Sequence, residues 1–363
     1  MTALLMTGFP GFLGSALLPR LLARREGVRA ICLVQPQHMD MALRRVREIE
    51  DAHPHTLDRV ELIKGDITAP DLGIDPADRD GLDEVTEVWH LAAIYDLAVA
   101  EGIAHRVNVD GTAQVLAFCL SRPKFSKLQY VSTCYVSGGF QGDFTEDALD
   151  EGQTFLNHYE STKFEAERLV RAAMADGLPA TIFRPGIVVG DSRTGETQKY
   201  DGPYFLATFL RRQLPVAVVP ALGDVDRVRV SLVPRDFVIE AMDELSVLDG
   251  SIGRTFALTD PNPPTVRELV DFFAGHLGKT VIWVPLPLHV THAAVDSVPG
   301  LEGLLGLPAE ALDYFASPTT YSTTNTVAAL AETGLDCPPF ESYAGTLLDF
   351  MIAHPEFDSS AMV

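Results

Sequence analysis

The stretch MTALLMTGFPGFLG (residues 1–14) decides the fold. It sets three glycines, Gly8, Gly11 and Gly14, three apart behind the apolar run ALLM. Behind them FLGSALLPRLLARR (12–25) has the apolar spacing of a helix, with Pro19 in its middle. A strand, a glycine turn and a helix in that order suit an anion, because the helix N-terminus presents free N–H groups and the positive end of its dipole. In such a turn one glycine permits the sharp reversal. One lets the backbone approach the anion, and one lets the helix pack on the strand. The spacing is GxxGxxG, not GxGxxG, so on spacing alone a phosphate cradle and a plain strand–helix turn both stay open.

Outward from this stretch, apolar runs alternate with helical patterns. RAICLV (29–34), VELIKGD (60–66), EVWHLAA (87–93), KLQYVST (127–133) and ATIFRPGIVVG (180–190) read as strands. MALRRVREIEDA (41–52), VNVDGTAQVLAFCLS (107–121) and HYESTKFEAERLVRAAMADG (158–177) read as helices. Such alternation predicts an α/β fold, a Rossmann-type doubly wound parallel sheet covered on both faces. From Asp191 the texture changes: DSRTGETQKYDG (191–202) is polar and prolines become frequent. SLVPRDFVIEAM (231–242) and GRTFALTD (253–260) are expected to return to the main sheet. TVRELVDFFAGHLG (265–278), VIWVPLPL (281–288) and the remainder are expected in a smaller lobe. The expected organisation is a dinucleotide-binding domain in 1–190, with its sheet completed by about 228–260. A discontinuous substrate-binding lobe is expected from 191–227 and 261–363.

Composition narrows the function. The 363 residues are 47% hydrophobic and carry a net charge of -22. That charge argues against general nucleic-acid binding and against docking on anionic membranes. Cys32, Cys119, Cys134 and Cys337 form no CxxC pair, which fits a reduced chain with neither a disulfide framework nor a structural zinc site. No basic leader opens the sequence, and no run reaches the ~18 apolar residues of a membrane span. A cytoplasmic location is expected. His53 and His55 lack a third ligand at useful spacing, so no metal is expected.

YESTK places Tyr159 and Lys163 four apart, on one face of a helix. A phenol is a poor proton donor and acceptor at neutral pH, and a cation one turn away lowers its pKa. Thr133 ends KLQYVST, at the carboxyl edge where open parallel sheets bind ligands. A hydroxyl there can hydrogen-bond a carbonyl oxygen that is becoming an alkoxide. On spacing alone the Tyr/Lys pair is also a plausible solvated helix face.

TGFPGFLG, CLV, GDITAPDLGI, HLAA, NVDGT, YVST, YESTKFEAERLV and RPGIVVG occur in that order. Together they resemble the extended short-chain dehydrogenase/reductase superfamily. Within it the chain is most similar to the fatty acyl-CoA reductase and thioester-reductase-like branch, the "male sterility" NAD-binding proteins. TGLDCPPFESY (333–343) resembles that branch as well. The resemblance is strong over about residues 3–190 and weaker beyond.

The resemblance implies a cofactor, NADP with NAD as the alternative, and a role for each matching residue. Gly8, Phe9, Pro10, Gly11, Phe12, Leu13 and Gly14 match the pyrophosphate loop. Asp66 and Ile67 match the adenine contact, and Ala92 and Ala93 the backbone beside the ribose. Ser132 stands among the cofactor contacts. Thr133, Tyr159 and Lys163 match the catalytic set, supported by Asn108. Pro185, Gly186 and Ile187 match the segment beside the carboxamide. One departure concerns Gln35, which stands where the branch usually has an arginine for the 2′-phosphate. Arg44 and Arg45 follow it.

Tyr95, Asp96 and Cys134 are expected near the substrate. Arg211, Arg212, Arg227, Arg229 and Arg235 suit either a solvated face or a CoA or phosphopantetheine group. The leading expectation is an NAD(P)H-dependent reductase of an apolar acyl thioester or aldehyde, with CoA or an acyl carrier protein as partner, acting as a monomer or homodimer. A secondary-alcohol dehydrogenase, a sugar-nucleotide epimerase and a cofactor-sensing regulator are the alternatives. Retention of Tyr159, Lys163 and Thr133 speaks against the regulator.

Overall fold

A computed structural model describes residues 2–95, 99–286 and 317–357. Asp96 and nearly all of the apolar stretch LPLHVTHAAVDSVPGLEGLLGL (286–307) lie outside the described residues. The first half runs β1 (Ala3–Thr7), α1 (Phe12–Arg24), β2 (Arg29–Val34), α2 (Met39–Ala52), β3 (Val60–Lys64) and β4 (Val85–His90). Then come α3 (Glu101–Ala104), a π-helical turn over His105–Asp110, α4 (Gly111–Ser121), β5 (Lys127–Val131), β6 (Gly142–Phe144), α5 (His158–Ala175), β7 (Ala180–Pro185) and β8 (Ile187–Val189). The remainder is α6 (Pro203–Arg212), β9 (Val216–Leu222), β10 (Leu232–Pro234), α7 (Arg235–Val247), β11 (Thr255–Leu258), α8 (Val266–His276) and β12 (Thr280–Leu286). β13 (Thr319–Tyr321), α9 (Thr324–Leu330) and α10 (Phe340–Ala353) complete it.

Seven parallel strands form the main sheet in the order β11-β7-β5-β4-β1-β2-β3. The strands are continuous apolar runs because both faces are covered: β1 is buried along its whole length, and separate apolar clusters fill the two sides. The chain winds outward from β1 to β3 and returns to β4 on the other side of β1. The direction therefore switches between β1 and β4, where open sheets of this kind leave a crevice at the strands' carboxyl ends. A third apolar cluster joins α6, β9, α8 and α10.

Two expectations change. ATIFRPGIVVG is two strands, not one. After Pro185 the chain leaves the main sheet at Gly186, where a Cβ would meet the Ser231 carbonyl oxygen at 2.4 Å and Thr259 Oγ1 at 2.9 Å. Ile187 then donates its N–H to Ser231, and β8 pairs with β10. For the same reason SLVPRDFVIEAM does not return to the main sheet: its three-residue strand belongs to that separate pair, and its helix α7 packs on α1. GRTFALTD does join the main sheet, as edge strand β11 beside β7. α1 runs through Pro19, whose missing N–H leaves the Ser15 carbonyl without its usual intrahelical donor.

Candidate active site

The glycine turn is built for close backbone approach. Gly8 adopts φ +86, and a Cβ there would lie 2.8 Å from the Ala92 nitrogen across the switch point. Cβ atoms at Gly11 and Gly14 would lie 2.8 and 2.7 Å from the Gly8 carbonyl oxygen. Side chains would fill this cradle, so the residues fit a nucleotide pyrophosphate lying on the N-terminus of α1. Phe9, Pro10 and Gly14 are buried, while Gly11, Phe12 and Leu13 are partly open. Arg235 lays its guanidinium 4.9 Å from the Phe12 ring centroid, so of the five arginines noted in the sequence it is the one packed against the loop. Arg211, Arg212, Arg227 and Arg229 are exposed.

Around the cradle, Gln35 is half-buried at the end of β2 and opens a short turn over Pro36–His38. On α2, Arg45 pairs with Glu48 at 2.8 Å and Arg44 is exposed. Asp66 accepts the Thr68 N–H at 2.8 Å, and Ile67 is buried. The Ala92 N–H donates to Thr7 Oγ1 at 3.2 Å, and Ala93 follows beyond β4. Asn108, in the π-helical turn, donates to the Ile94 carbonyl and to Thr162 Oγ1, both at 3.0 Å, and accepts the Ile94 N–H at 2.9 Å. It thereby ties the segment after β4 to α5. Such irregular turns commonly mark functional sites.

The Thr133 hydroxyl stands near enough to the Tyr159 phenol to act on its titration. The Thr133 hydroxyl also lies 3.5 Å from the Pro185 carbonyl, which joins the ends of β5 and β7. Tyr159 is half-buried, and burial pushes its pKa up to about 12, against the opposing effect of the Thr133 hydroxyl. The expected lowering by Lys163 is therefore not present. The reason is geometric: the Lys163 ammonium donates to the Val131 carbonyl at 2.9 Å and to the Tyr130 hydroxyl at 3.1 Å. Burial pulls the lysine itself down to about 8, although Glu167 opposes the shift.

Other expected contacts are turned inward. Ser132 donates to Glu167 at 2.6 Å, and its own N–H is spent on Phe183, so its hydroxyl does not face the edge. Cys134 is fully buried, its thiol donates to the Arg184 carbonyl at 3.1 Å, and burial pushes its pKa up to about 12. It offers no nucleophile and no open surface to a substrate. Tyr95 is exposed, with the Lys199 ammonium 4.1 Å from its ring centroid, and it is close enough to Tyr159 to affect that phenol electrostatically. Pro185 is buried, while Gly186 and Ile187 are partly open beside it.

Sequence reasoning missed a row of buried polar groups beneath the site: Thr7, His90, Thr112 and Tyr130. One signal was available. HLAA puts a histidine at the end of a strand buried on both faces, and such a group must find partners. Among the described residues no helix is long and apolar enough to cross a membrane, and no group of three His, Cys, Asp or Glu is placed to hold a metal ion. His53 and His55 are exposed, and His55 Nε2 donates to the Pro19 carbonyl at 2.9 Å.

The edge thus combines a pyrophosphate-sized cradle with a hydroxyl–phenol–lysine group, the frame of an NAD(P)-binding oxidoreductase of the extended short-chain dehydrogenase/reductase kind. The family profile described as "Male sterility protein", an NAD-binding domain, matches residues 6–242, and the chain belongs to that family. It is 29% identical over 282 residues to "Glycine betaine reductase ATRR" of Emericella nidulans, covering 74% of this chain and 22% of that one. The chain spans 5% to 26% of the length of the first four curated relatives it matches. Among solved structures it resembles the terminal R domain from the myxalamid PKS-NRPS biosynthetic pathway, with TM-score 0.82, 28% identity, and 98% and 91% of the two chains covered. It also shares the fold of a thiolation-reductase di-domain from an archaeal non-ribosomal peptide synthetase, with TM-score 0.76, 22% identity, and 98% and 76% covered.

Proposed function

We propose that the chain reduces an acyl thioester, presented on a carrier domain or on CoA, to the aldehyde at the expense of NADPH. The observation that carries this reading is the Thr133 hydroxyl near the Tyr159 phenol at the carboxyl edge of β5, in the same sheet whose strand β1 leads into the glycine cradle. The carrier and thioester parts draw support from the R-domain and thiolation-reductase likenesses.

A bound nicotinamide supplies a hydride to a carbonyl carbon. The rest of the chemistry falls to the chain. Gly8, Gly11, Gly14 and the α1 N-terminus would hold the cofactor's pyrophosphate, and Pro185 to Ile187 would stand beside its carboxamide. Thr133 and Tyr159 bind the carbonyl oxygen. Tyr159, with its pKa near 12, is fully protonated at neutral pH and gives its proton to the oxygen as charge develops there. Lys163 orients the ribose. The resulting hemithioacetal loses its thiol to give the aldehyde, so one free thiol appears for each thioester reduced. The lobe assigned to 191–227 and 261–363 takes the acyl chain, with Tyr95 at its entrance. No acid stands at Gln35 to favour NAD, and exposed Arg44 is available to a 2′-phosphate.

The test incubates the protein with NADPH or NADH and with octanoyl-CoA, octanoyl-pantetheine, octanal, ketones or sterols. Nicotinamide absorbance and free thiol are followed together. Stoichiometric thiol release with cofactor oxidation is expected. Oxidation with ketones or sterols alone, without thiol, would replace the thioester reading with an alcohol-dehydrogenase one. Fluorescence titration with both cofactors tests the preference, and tighter binding of NADH would overturn it.

A further inference from the structure

Lys163 is not an isolated cation. Thr7, His90 and Tyr130 are register partners across β1, β4 and β5, at or near the carboxyl ends of the strands. All three are fully buried. Thr7 Oγ1 lies 2.8 Å from His90 Nδ1, and His90 Nε2 lies 3.1 Å from Thr112 Oγ1. Thr112 also stands near enough to the Tyr130 phenol to act on its titration, and that phenol accepts from Lys163 at 3.1 Å.

The donors assign themselves. Thr112 spends its proton on the Asn108 carbonyl at 2.6 Å, so it accepts from His90 Nε2–H. His90 Nδ1 is then the acceptor for the Thr7 hydroxyl, whose oxygen takes the Ala92 N–H. Tyr130, in its turn, offers its oxygen to Lys163. The row ends on backbone at Asn108 and Ala92. Burial, followed by the charge of Lys163, lowers His90 to about 3, which keeps it neutral. Such a row stores and passes no proton at neutral pH. It can fix a position.

Resting on the proposed role of Lys163 at the cofactor, we propose that Tyr130 is its positioning residue. Its phenol, oriented through Thr112 and His90, anchors the ammonium to the same β1–β4 backbone that forms the glycine cradle. The cation also lies 4.7 Å from the Tyr130 ring centroid, a contact that removal of the hydroxyl leaves in place. The titratable groups around the ammonium are Tyr130 of β5, His90 of β4 and Glu167 of α5 itself, with Tyr159 acting on Tyr130 beside them. Arg184 of β7 reaches it only through Glu167. Tyr130 and Tyr159 keep their protons and His90 stays neutral, so near pH 8 only Lys163 changes charge.

The test measures NADPH affinity by fluorescence from pH 6 to pH 9.5. In the wild-type protein affinity falls as the lysine loses its proton above its pKa of about 8. Tyr130→Phe removes an acceptor from the charged form only, so the break moves to lower pH by about half to one unit. Affinity at pH 6.5 stays at the wild-type level and is about 3- to 10-fold weaker at pH 8.5. A merely structural defect would weaken binding at every pH. Thr112→Val, which removes the hydroxyl beside the phenol, shifts the break the same way by less, and decides the matter if Tyr130→Phe does not fold. A folded variant whose break stays in place overturns the positioning role. Lys163→Met separates the two readings. If it abolishes the break while Tyr130→Phe leaves it unmoved, only the Tyr130 role falls. If Lys163→Met keeps the wild-type profile, or the wild-type shows no break, the role of Lys163 falls and this proposal with it.

Discussion

Two buried charges stand one helical turn apart on α5, and the protein treats them in opposite ways. Lys163 has a phenol and one carbonyl as partners, and burial lowers its pKa. Glu167 accepts from Ser132 at 2.6 Å, from Arg184 at 3.0 and 2.6 Å and from Arg171 at 2.9 Å. Burial would raise its pKa, but Arg184 foremost, with Arg171 and Ser132, holds it below the ordinary carboxylate range. One charge is left short of partners beside the candidate site, and the other is saturated one turn further into the fold. A shortage of partners at a buried charge costs stability and leaves room for a ligand; a surplus ties strands together.

The largest effect that can break this contrast is expected at Tyr159, on the under-partnered side. Tyr159→Phe keeps the ring and removes the acidic proton, so turnover should fall about 10²–10⁴-fold with NADPH affinity little changed. Near wild-type turnover on a verified substrate would end the Tyr-dependent reading. On the saturated side, Glu167→Gln leaves the fully buried Arg184 without its anion. Breaking such a pair costs about 3–5 kcal/mol, read by urea denaturation, while turnover per folded molecule persists. Because the folded-state pKa of Glu167 is depressed, its contribution is present above the ordinary carboxylate range and is lost as pH falls through the lowered value. The variant should therefore show a flatter stability profile on acidification. Thr133→Val should cost about 10²–10³-fold in turnover if the hydroxyl meets the developing alkoxide. The smallest effect is on the stability of Lys163→Met. It removes a charge the fold disfavours, so unfolding free energy should move by no more than about 1 kcal/mol. A loss as large as that of Glu167→Gln would erase the contrast.

Much of the main sheet was legible because parallel strands buried on both faces read as unbroken apolar runs such as RAICLV and KLQYVST. The switch at Gly186 was not, since it depends on Ser231 arriving from elsewhere in the chain. Strands of three residues, like β8 and β10, carry no period to detect. The placement of Thr133, Tyr159 and Lys163 near one edge followed from strand order and helical spacing. Their electrostatics did not follow: proximity in sequence suggested that Lys163 would lower Tyr159, whereas the direction of the lysine side chain and the depth of burial decide otherwise. Ser132 and Cys134 face inward for a similar reason, because residues beside a site can serve the strand behind it.

Glu146, almost fully buried, accepts from the Ala257 N–H at 2.9 Å and from the Thr326 N–H and hydroxyl at 3.1 and 2.8 Å, with the Asn325 N–H on its other oxygen. β6 and β13 pair beside it. The carboxylate thus waits for partners synthesised some 110 and 180 residues later. At a translation rate of about 5–20 residues per second, roughly 10–40 s pass between its emergence and that of Thr326. During that interval the side chain at the edge of the growing domain lacks these hydrogen-bond donors. Closure around Glu146 is therefore a late event in biosynthesis, and the strands laid down first become fully native only once the distant segment arrives.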